Sequence, residues 1–224
     1  MERSPSKIQI QKNVRLIACT VVLIFGPPLL LKVVETGRRS RMDPLHLAAA
    51  DGNVAECERL VKSGYPVDAT DNSGDTALNW AVYSRRIDVV RKLLDLGAEI
   101  NHRSKPWRLT PLMYTATPFR GHLVEGPQGE RNEVARVLIE RGADVNLAAD
   151  DGSTALHFAA TDRNARLARM LLGAGARRDA KTAQGYTPMD LARFPDYAPN
   201  DDVIAALQPT AAGQGKSGIS GMSP

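Results

Sequence analysis

The residues able to do chemistry in this chain are few and scattered. There are four histidines, His46, His102, His122 and His157, and two cysteines, Cys19 and Cys57. A zinc site needs three or four Cys, His or carboxylate ligands gathered at close spacing. His102 and His122 have no Cys or second His at such a spacing, and Cys19 lies in an apolar run far from Cys57. A nucleophilic enzyme would need an activated Ser or Cys, and a phosphate-transfer enzyme a glycine-rich cradle. The chain has no G-x-S-x-G, no phosphate loop and no H-E-x-x-H. Asp150-Asp151-Gly152 starts like a calcium loop but lacks the further acidic positions and closing Glu of an EF-hand, so it reads as an Asp-Gly turn. These residues imply no catalytic group, no cofactor and no metal. They point to a surface that binds.

The charge distribution narrows what is bound. The 224 residues carry a net charge of +4, but the excess is local. Residues 1–42 hold eight Lys/Arg against Glu2 and Glu35, and the tail 208–224 holds only Lys216, which leaves 43–207 at −3. A mildly acidic body is not the electrostatic footprint of a nucleic-acid binder. The basic excess flanks an apolar stretch instead. Leu16–Leu31 is sixteen residues without a charge, and Val14–Val34 reaches the roughly 20 residues that span a bilayer. Arg15 and Lys32 are placed to snorkel at its ends. Gly26-Pro27-Pro28 would kink such a helix. The rival reading is a secretory signal with the core Leu16–Phe25, although no A-x-A-like cleavage site follows it. We expect a basic tail over 1–13, a transmembrane anchor or signal over 14–34 and a basic linker over 35–41. Four Lys/Arg lie near each side, so charge does not set the orientation. Arg outnumbers Lys 21 to 8 in an Ala-rich chain, which suggests a GC-rich bacterial genome. The expected location is a bacterial inner membrane, spanned once, with the periplasmic side favoured for the folded part.

The elements that must position any binding surface come from an internal repeat. Asp43-Pro-Leu-His-Leu-Ala-Ala recurs as Thr76-Ala-Leu-Asn-Trp-Ala-Val, Thr110-Pro-Leu-Met-Tyr-Thr-Ala, Thr154-Ala-Leu-His-Phe-Ala-Ala and Thr187-Pro-Met-Asp-Leu-Ala-Arg, at spacings of 33, 34, 44 and 33. A glycine follows 21 residues later at Gly64, Gly97 and Gly175, and 32 later at Gly142. Unit three therefore carries an eleven-residue insertion. Leu93-Leu94-Asp95-Leu96-Gly97-Ala98-Glu99-Ile100-Asn101 and Leu138-Ile139-Glu140-Arg141-Gly142-Ala143-Asp144-Val145-Asn146 close their units, and Leu171-Leu172-Gly173-Ala174-Gly175-Ala176 closes the fourth in shorter form.

This pattern resembles the ankyrin-repeat family over about residues 42–207. The resemblance implies an all-α solenoid of stacked helix–turn–helix units with short hairpin-like fingers, here preceded by one N-terminal apolar helix. Units fall near 42–71, 72–103, 104–149, 150–182 and 183–207. The loop insertion is expected near 119–131, and the composition of the Gly/Ser/Pro-rich tail 208–224 predicts disorder. Thr76, Thr110, Thr154 and Thr187 are N-cap candidates, and Pro111 and Pro188 suit the first helical position. Leu45, Leu78, Leu112, Leu156 and Met189 should point inward. Gly64, Gly97, Gly142 and Gly175 fit left-handed C-caps. In the family, the slot of His46 and His157 bonds one repeat to the next. Cys57 reads as a small core residue. The third finger, Ser104–Leu109, lacks the turn glycine of its neighbours.

By the same resemblance, fingers and first helices line a concave groove that holds a protein partner. Carried onto this chain, the protein-binding candidates are Tyr83, Ser84, Trp107, Leu109, Thr117, Thr161, Asp162 and Tyr186. Tyr83, Trp107, Thr161 and Asp162 have the least structural reason to be there. The second helices carry Arg59, Lys62, Arg91, Lys92, Arg136, Arg141, Arg166 and Arg169, a basic outer face. The expected function is a non-enzymatic, membrane-tethered scaffold or adaptor with an unknown protein partner, and with no nucleic acid and no small-molecule substrate. The alternative is a cleaved-signal periplasmic or exported factor that inhibits or stabilises an enzyme.

Overall fold

The computed structural model describes residues 43–117, 128–193 and 201–208. The expected apolar helix 14–34, its flanks 1–13 and 35–41, and the tail beyond Gln208 lie outside the described residues. Among the described residues, no helix is long and apolar enough to cross a membrane.

Helices form where the repeat places a cap ahead of an apolar pattern. The first-helix series is α1 Pro44–Asp51, α3 Ala77–Tyr83, α5 Pro111–Tyr114, α7 Ala155–Thr161 and α9 Pro188–Ala192. The second series is α2 Val54–Lys62, α4 Ile87–Asp95, α6 Gln128–Glu140, α8 Ala165–Gly173 and α10 Asp201–Leu207. The Thr76 hydroxyl accepts from Asn79 N–H at 3.4 Å, that of Thr110 from Met113 N–H at 3.3 Å and that of Thr187 from Asp190 N–H at 3.2 Å. Each bond satisfies an orphan donor of the first turn. Thr154 differs: its N–H and hydroxyl both turn to His157 Nδ1, at 3.1 and 2.9 Å. Two second helices are capped by asparagine, Asn53 to Glu56 N–H at 3.1 Å and Asn164 to Leu167 N–H at 3.0 Å. Each of the second helices α2, α4, α6 and α8 is followed by a glycine at φ between +88° and +96°, where a side chain would be strained.

Packing joins like to like. First helices contact first helices along the series α1, α3, α5, α7 and α9, and second helices do the same along α2, α4, α6, α8 and α10. Leu45, Leu78, Leu112 and Leu156 are fully buried at one recurring position, while Met189, in the last unit, is only half-buried. Small residues (Ala49, Ala81, Ala116, Ala160) sit buried where adjacent helices meet, which lets the layers approach closely. Cys57 belongs to this core, and burial pushes its thiol up to about 11, so it is not a nucleophile at neutral pH. Among the described residues, the fingers add isolated antiparallel bridges, Thr70 with Thr76 and Ala148 with Thr154.

Successive units are also tied by a ladder of side-chain to backbone bonds at the finger bases. Glu99 N–H donates to Asp68, Asp144 N–H to Asn101 and Arg177 N–H to Asn146, each at 2.9 Å. His46 Nε2 meets Asp75 O at 3.0 Å and His157 Nε2 meets Tyr186 O at 3.1 Å, so both bridge adjacent units.

The structure corrects the sequence reading at the end of the unit-three insertion. Residues 128–131 are helical, part of α6, rather than loop. In the position where Asn53 and Asn164 cap their helices, unit three has Arg131. Unit two has Arg86 there, also without a side-chain cap, and its helix starts at the next residue, whereas the helix of unit three runs one turn further back. Glu130 in that turn lies 3.5 Å from Arg85, and Arg131 lies 3.0 Å from Asp162, which ties the extra turn to units two and four. Residues 118–127 lie outside the described residues. In the second helix of unit two, Leu93 is fully buried, whereas Leu94 is only half-buried.

Leu93→Ala is therefore expected to destabilise the repeat domain by about 2–5 kcal/mol, the range for deleting a fully buried leucine. Leu94→Ala should cost clearly less. Urea titrations followed by far-UV circular dichroism test the order. Equal costs would place the unit interface elsewhere.

Candidate functional site

The face built from fingers and first helices begins with position five of each repeat. Leu47, Trp80, Phe158 and Leu191 are half-buried there, while Tyr114 is buried. Trp80 was not among the sequence candidates, although its place in the repeat gave the signal. Its Nε1–H donates to Asp71 Oδ2 at 3.0 Å, and its ring meets Tyr83 edge-on with centroids 5.9 Å apart. Tyr83 thus stands beside a second aromatic as a half-buried pair at the end of α3. Ser84 caps that helix, its N–H bonding to Trp80 O at 2.9 Å.

Trp107 is 61 % accessible, the exposed large hydrophobic side chain among the described residues. Leu109, two residues on, is half-buried and packs against the core. Thr117 is half-buried, and its hydroxyl donates to Tyr114 O at 3.3 Å. Thr161 is exposed, but its hydroxyl is taken by Phe158 O at 2.9 Å. The Tyr186 carbonyl accepts the His157 bridge and its N–H donates to Thr182 Oγ1 at 3.2 Å.

Asp162 is not where its sequence position suggested. Its side chain is only 8 % accessible, and Oδ2 lies 3.0 Å from an Arg131 nitrogen. The contact is ionic rather than a well-aimed hydrogen bond, since Oδ2 lacks an aligned donor. Burial dominates and raises its pKa, while Arg131 pulls it back. Asp162 therefore holds α6 to unit four and is not a free groove charge. Tyr83 is half-buried at the end of α3, Trp107 is exposed in the third finger and Thr161 is exposed at the end of α7.

The second-helix face is largely self-neutralised. Arg59 pairs with Glu56, Lys62 and Lys92 with Glu58, Arg141 with Asp95, and Arg136 with both Glu133 and Glu140. Arg91 and Arg166 add to the field that lowers the Glu133 pKa, after its bond to Arg136. Such a laced face presents less net charge than its arginines suggest.

The histidines are occupied by architecture. His157 Nδ1 accepts from Thr154 N–H, so its proton sits on Nε2, which donates to Tyr186 O. Protonating Nδ1 would set two donors against each other. Burial adds to this and lowers the His157 pKa, opposed by the Tyr186 and Ala180 carbonyls and by Asp151. His102 Nε2 bonds Gly74 O at 2.9 Å, and His122 lies outside the described residues. Among the described residues, no three His, Cys, Asp or Glu side chains converge as metal ligands.

Three family models describing ankyrin repeats match the chain, over residues 25–104, 107–150 and 131–192. The chain is 31 % identical over 141 residues to the putative palmitoyltransferase ZDHHC13 of Danio rerio, a match covering 63 % of this chain and 20 % of that protein. It is 32 % identical over 153 residues to the human transient receptor potential cation channel subfamily A member 1, covering 67 % and 13 %. It is 37 % identical over 120 residues to the human ankyrin repeat and KH domain-containing protein 1, covering 53 % and 4 %. The chain thus spans a fifth or less of these relatives.

A histidine whose folded pKa is lowered makes stability fall as pH drops below its unfolded value near 6.5, because the unfolded chain binds the extra proton. Asp162, with its raised pKa, acts in the opposite sense. His157→Asn, which puts into unit four the residue unit two carries as Asn79, should flatten the loss of stability between about pH 6.5 and 5. Thermal melts across that range measure it, and an unchanged slope would assign the acid sensitivity to another group.

Proposed function

Because the chain belongs to the ankyrin-repeat family, we propose that it is a non-enzymatic protein-binding module whose partner lies along the finger and first-helix face. One observation carries this reading. The polar motif residues are committed to caps and bridges, while Trp107 stands exposed and outside the buried core of the described residues. An exposed Trp offers much buriable area at small rotamer cost and is a favoured anchor in interfaces. The partner-facing strip runs from Tyr83 and Ser84 through Trp107, Leu109 and Thr117 to Thr161, with Tyr186 at the far end.

We further propose that residues 14–34 tether this module to a membrane, from the apolar run between Arg15 and Lys32. A single-pass protein of a bacterial inner membrane is the form this takes, and a cleaved signal that releases a periplasmic factor is the alternative. Intact mass of the purified full chain separates the two. Fractionation of cells expressing the full chain and a form starting at Glu35 tests the tether. Equal solubility of both would exclude it.

For the binding face, Trp107→Ala is expected to weaken capture of a crosslinked membrane partner by at least ~1–2 kcal/mol, the scale of an interface hot spot. Tyr83→Ala should act in the same direction. Arg136→Ala and Arg169→Ala, on the opposite face, should leave capture unchanged. Loss with the arginine variants and silence of the aromatic ones would move the interface to the second helices.

A further inference from the structure

The third finger departs most from the repeat, and its departures are ordered. Lys105, Pro106, Trp107 and Arg108 are four consecutive exposed residues, with Arg108 at φ +54° where a turn glycine would otherwise stand. The tip is held on both sides. Lys105 N–H donates to Ser73 O of the second finger at 3.0 Å, and Asp150 N–H of the fourth finger donates to Trp107 O at 3.1 Å. A Cβ on Gly74 would stand 3.0 Å from Lys105 N and 3.1 Å from its Cγ, so the lysine stem lies against bare backbone. Trp107 is thus presented on a fixed support, and little ordering entropy remains to be lost on binding.

The charges of this finger also differ from those of the second helices. Among the described residues, Lys105 and Arg108 have no carboxylate partner. Arg103, at the finger base, donates to the Ala148 carbonyl and has its Nε buried without an acceptor. An exposed indole between two free cations, on a body with net charge −3 over residues 43–207, is a local site for anionic, partly apolar matter.

We propose that the third finger recognises an acidic, extended protein segment, whose carboxylates pair with Lys105 and Arg108 while an apolar side chain of the segment covers Trp107. The proposal rests on the reading of this face as the partner surface and gives that partner its chemistry. The neighbouring finger decides between a peptide and a continuous polyanion. Asp150 and Asp151 are exposed one finger away, on the loop bonded to Trp107 O. A nucleic-acid backbone or an anionic bilayer would bring uniform negative charge against them. A peptide places carboxylates only where the cations stand, with the Arg108 fork suited to bidentate pairing.

The test is selection of a random dodecapeptide phage library on the immobilised full chain and on its K105E/R108E form, with circular dichroism melts showing both folded. Enrichment of Asp/Glu-rich sequences bearing an aromatic or Leu is expected on the natural chain, and of Lys/Arg-rich ones on the reversed form. A synthetic peptide from the first set should lose about tenfold in affinity on K105E/R108E, the effect of turning two exposed attractions into repulsions. Peptides that bind both forms alike but are lost with Tyr83→Ala would overturn this inference and leave the partner face standing. No enriched peptide on either form would overturn both. Binding of a dodecauridylate or of phosphatidylserine vesicles that K105E/R108E abolishes, with no acidic peptide selected, would replace the peptide with that polyanion.

Discussion

The constraint on which this molecule depends is that no unit can bury its own apolar face. A pair of helices of seven to nine residues is below the length at which isolated helices persist in water. Their leucines and alanines leave water only when the next pair covers them. The stack must also hold its register, because a slipped unit would strand backbone groups and polar side chains in the seam. His46, His157 and the Asp68, Asn101 and Asn146 ladder supply that register with directional bonds from one unit to the backbone of the next.

The middle of the stack shows how the constraint is met when the motif fails. Units two and three have Asn79 and Met113 where a histidine would bridge. Between them, Tyr114 OH instead donates to Asp75 Oδ1 at 2.8 Å and meets Ser104 Oγ at 2.7 Å, a buried chain reaching from the third unit's first helix to the second finger. Asn79 Nδ2 binds the same carboxylate oxygen at 3.1 Å, and His102 reaches Gly74 O. On the other side, Asn164 Nδ2 donates to Asn132 Oδ1 at 2.8 Å, both buried, next to the Arg131–Asp162 pair. Buried polar links of this kind are worthwhile only when complete. The irregular finger and the extended α6 bring the groups that complete them.

That substitution has a consequence for function. The finger that supplies Ser104 to these bonds also carries Lys105, Trp107 and Arg108 into solvent. Its backbone is tied to both neighbouring fingers, by Lys105 N–H to Ser73 O and by Asp150 N–H to Trp107 O. On the opposite face, acidic residues at helical spacing neutralise most of the arginines, leaving a solvated side with small net field.

The helices, their order and their inner faces were legible in the sequence, because caps, buried leucines and closing glycines recur at fixed offsets and each acts through contacts within one repeat or the next. Cys57 and the histidine slots were legible for the same reason. What the sequence could not settle were interactions between residues that no repeat offset connects. Asp162 read as a free charge because Arg131, which covers it, lies inside an insertion with no counterpart in the other units. Gln128–Arg131 read as loop because glycines just before it suggested one, while the contacts that hold it helical, with Arg85 and Asp162, come from two other units. Tyr114 became a bridge only when stacking set its hydroxyl against Asp75 of the preceding finger. Local periodicity fixes which side chains face the seam; the partner each finds there depends on the geometry of the assembled stack.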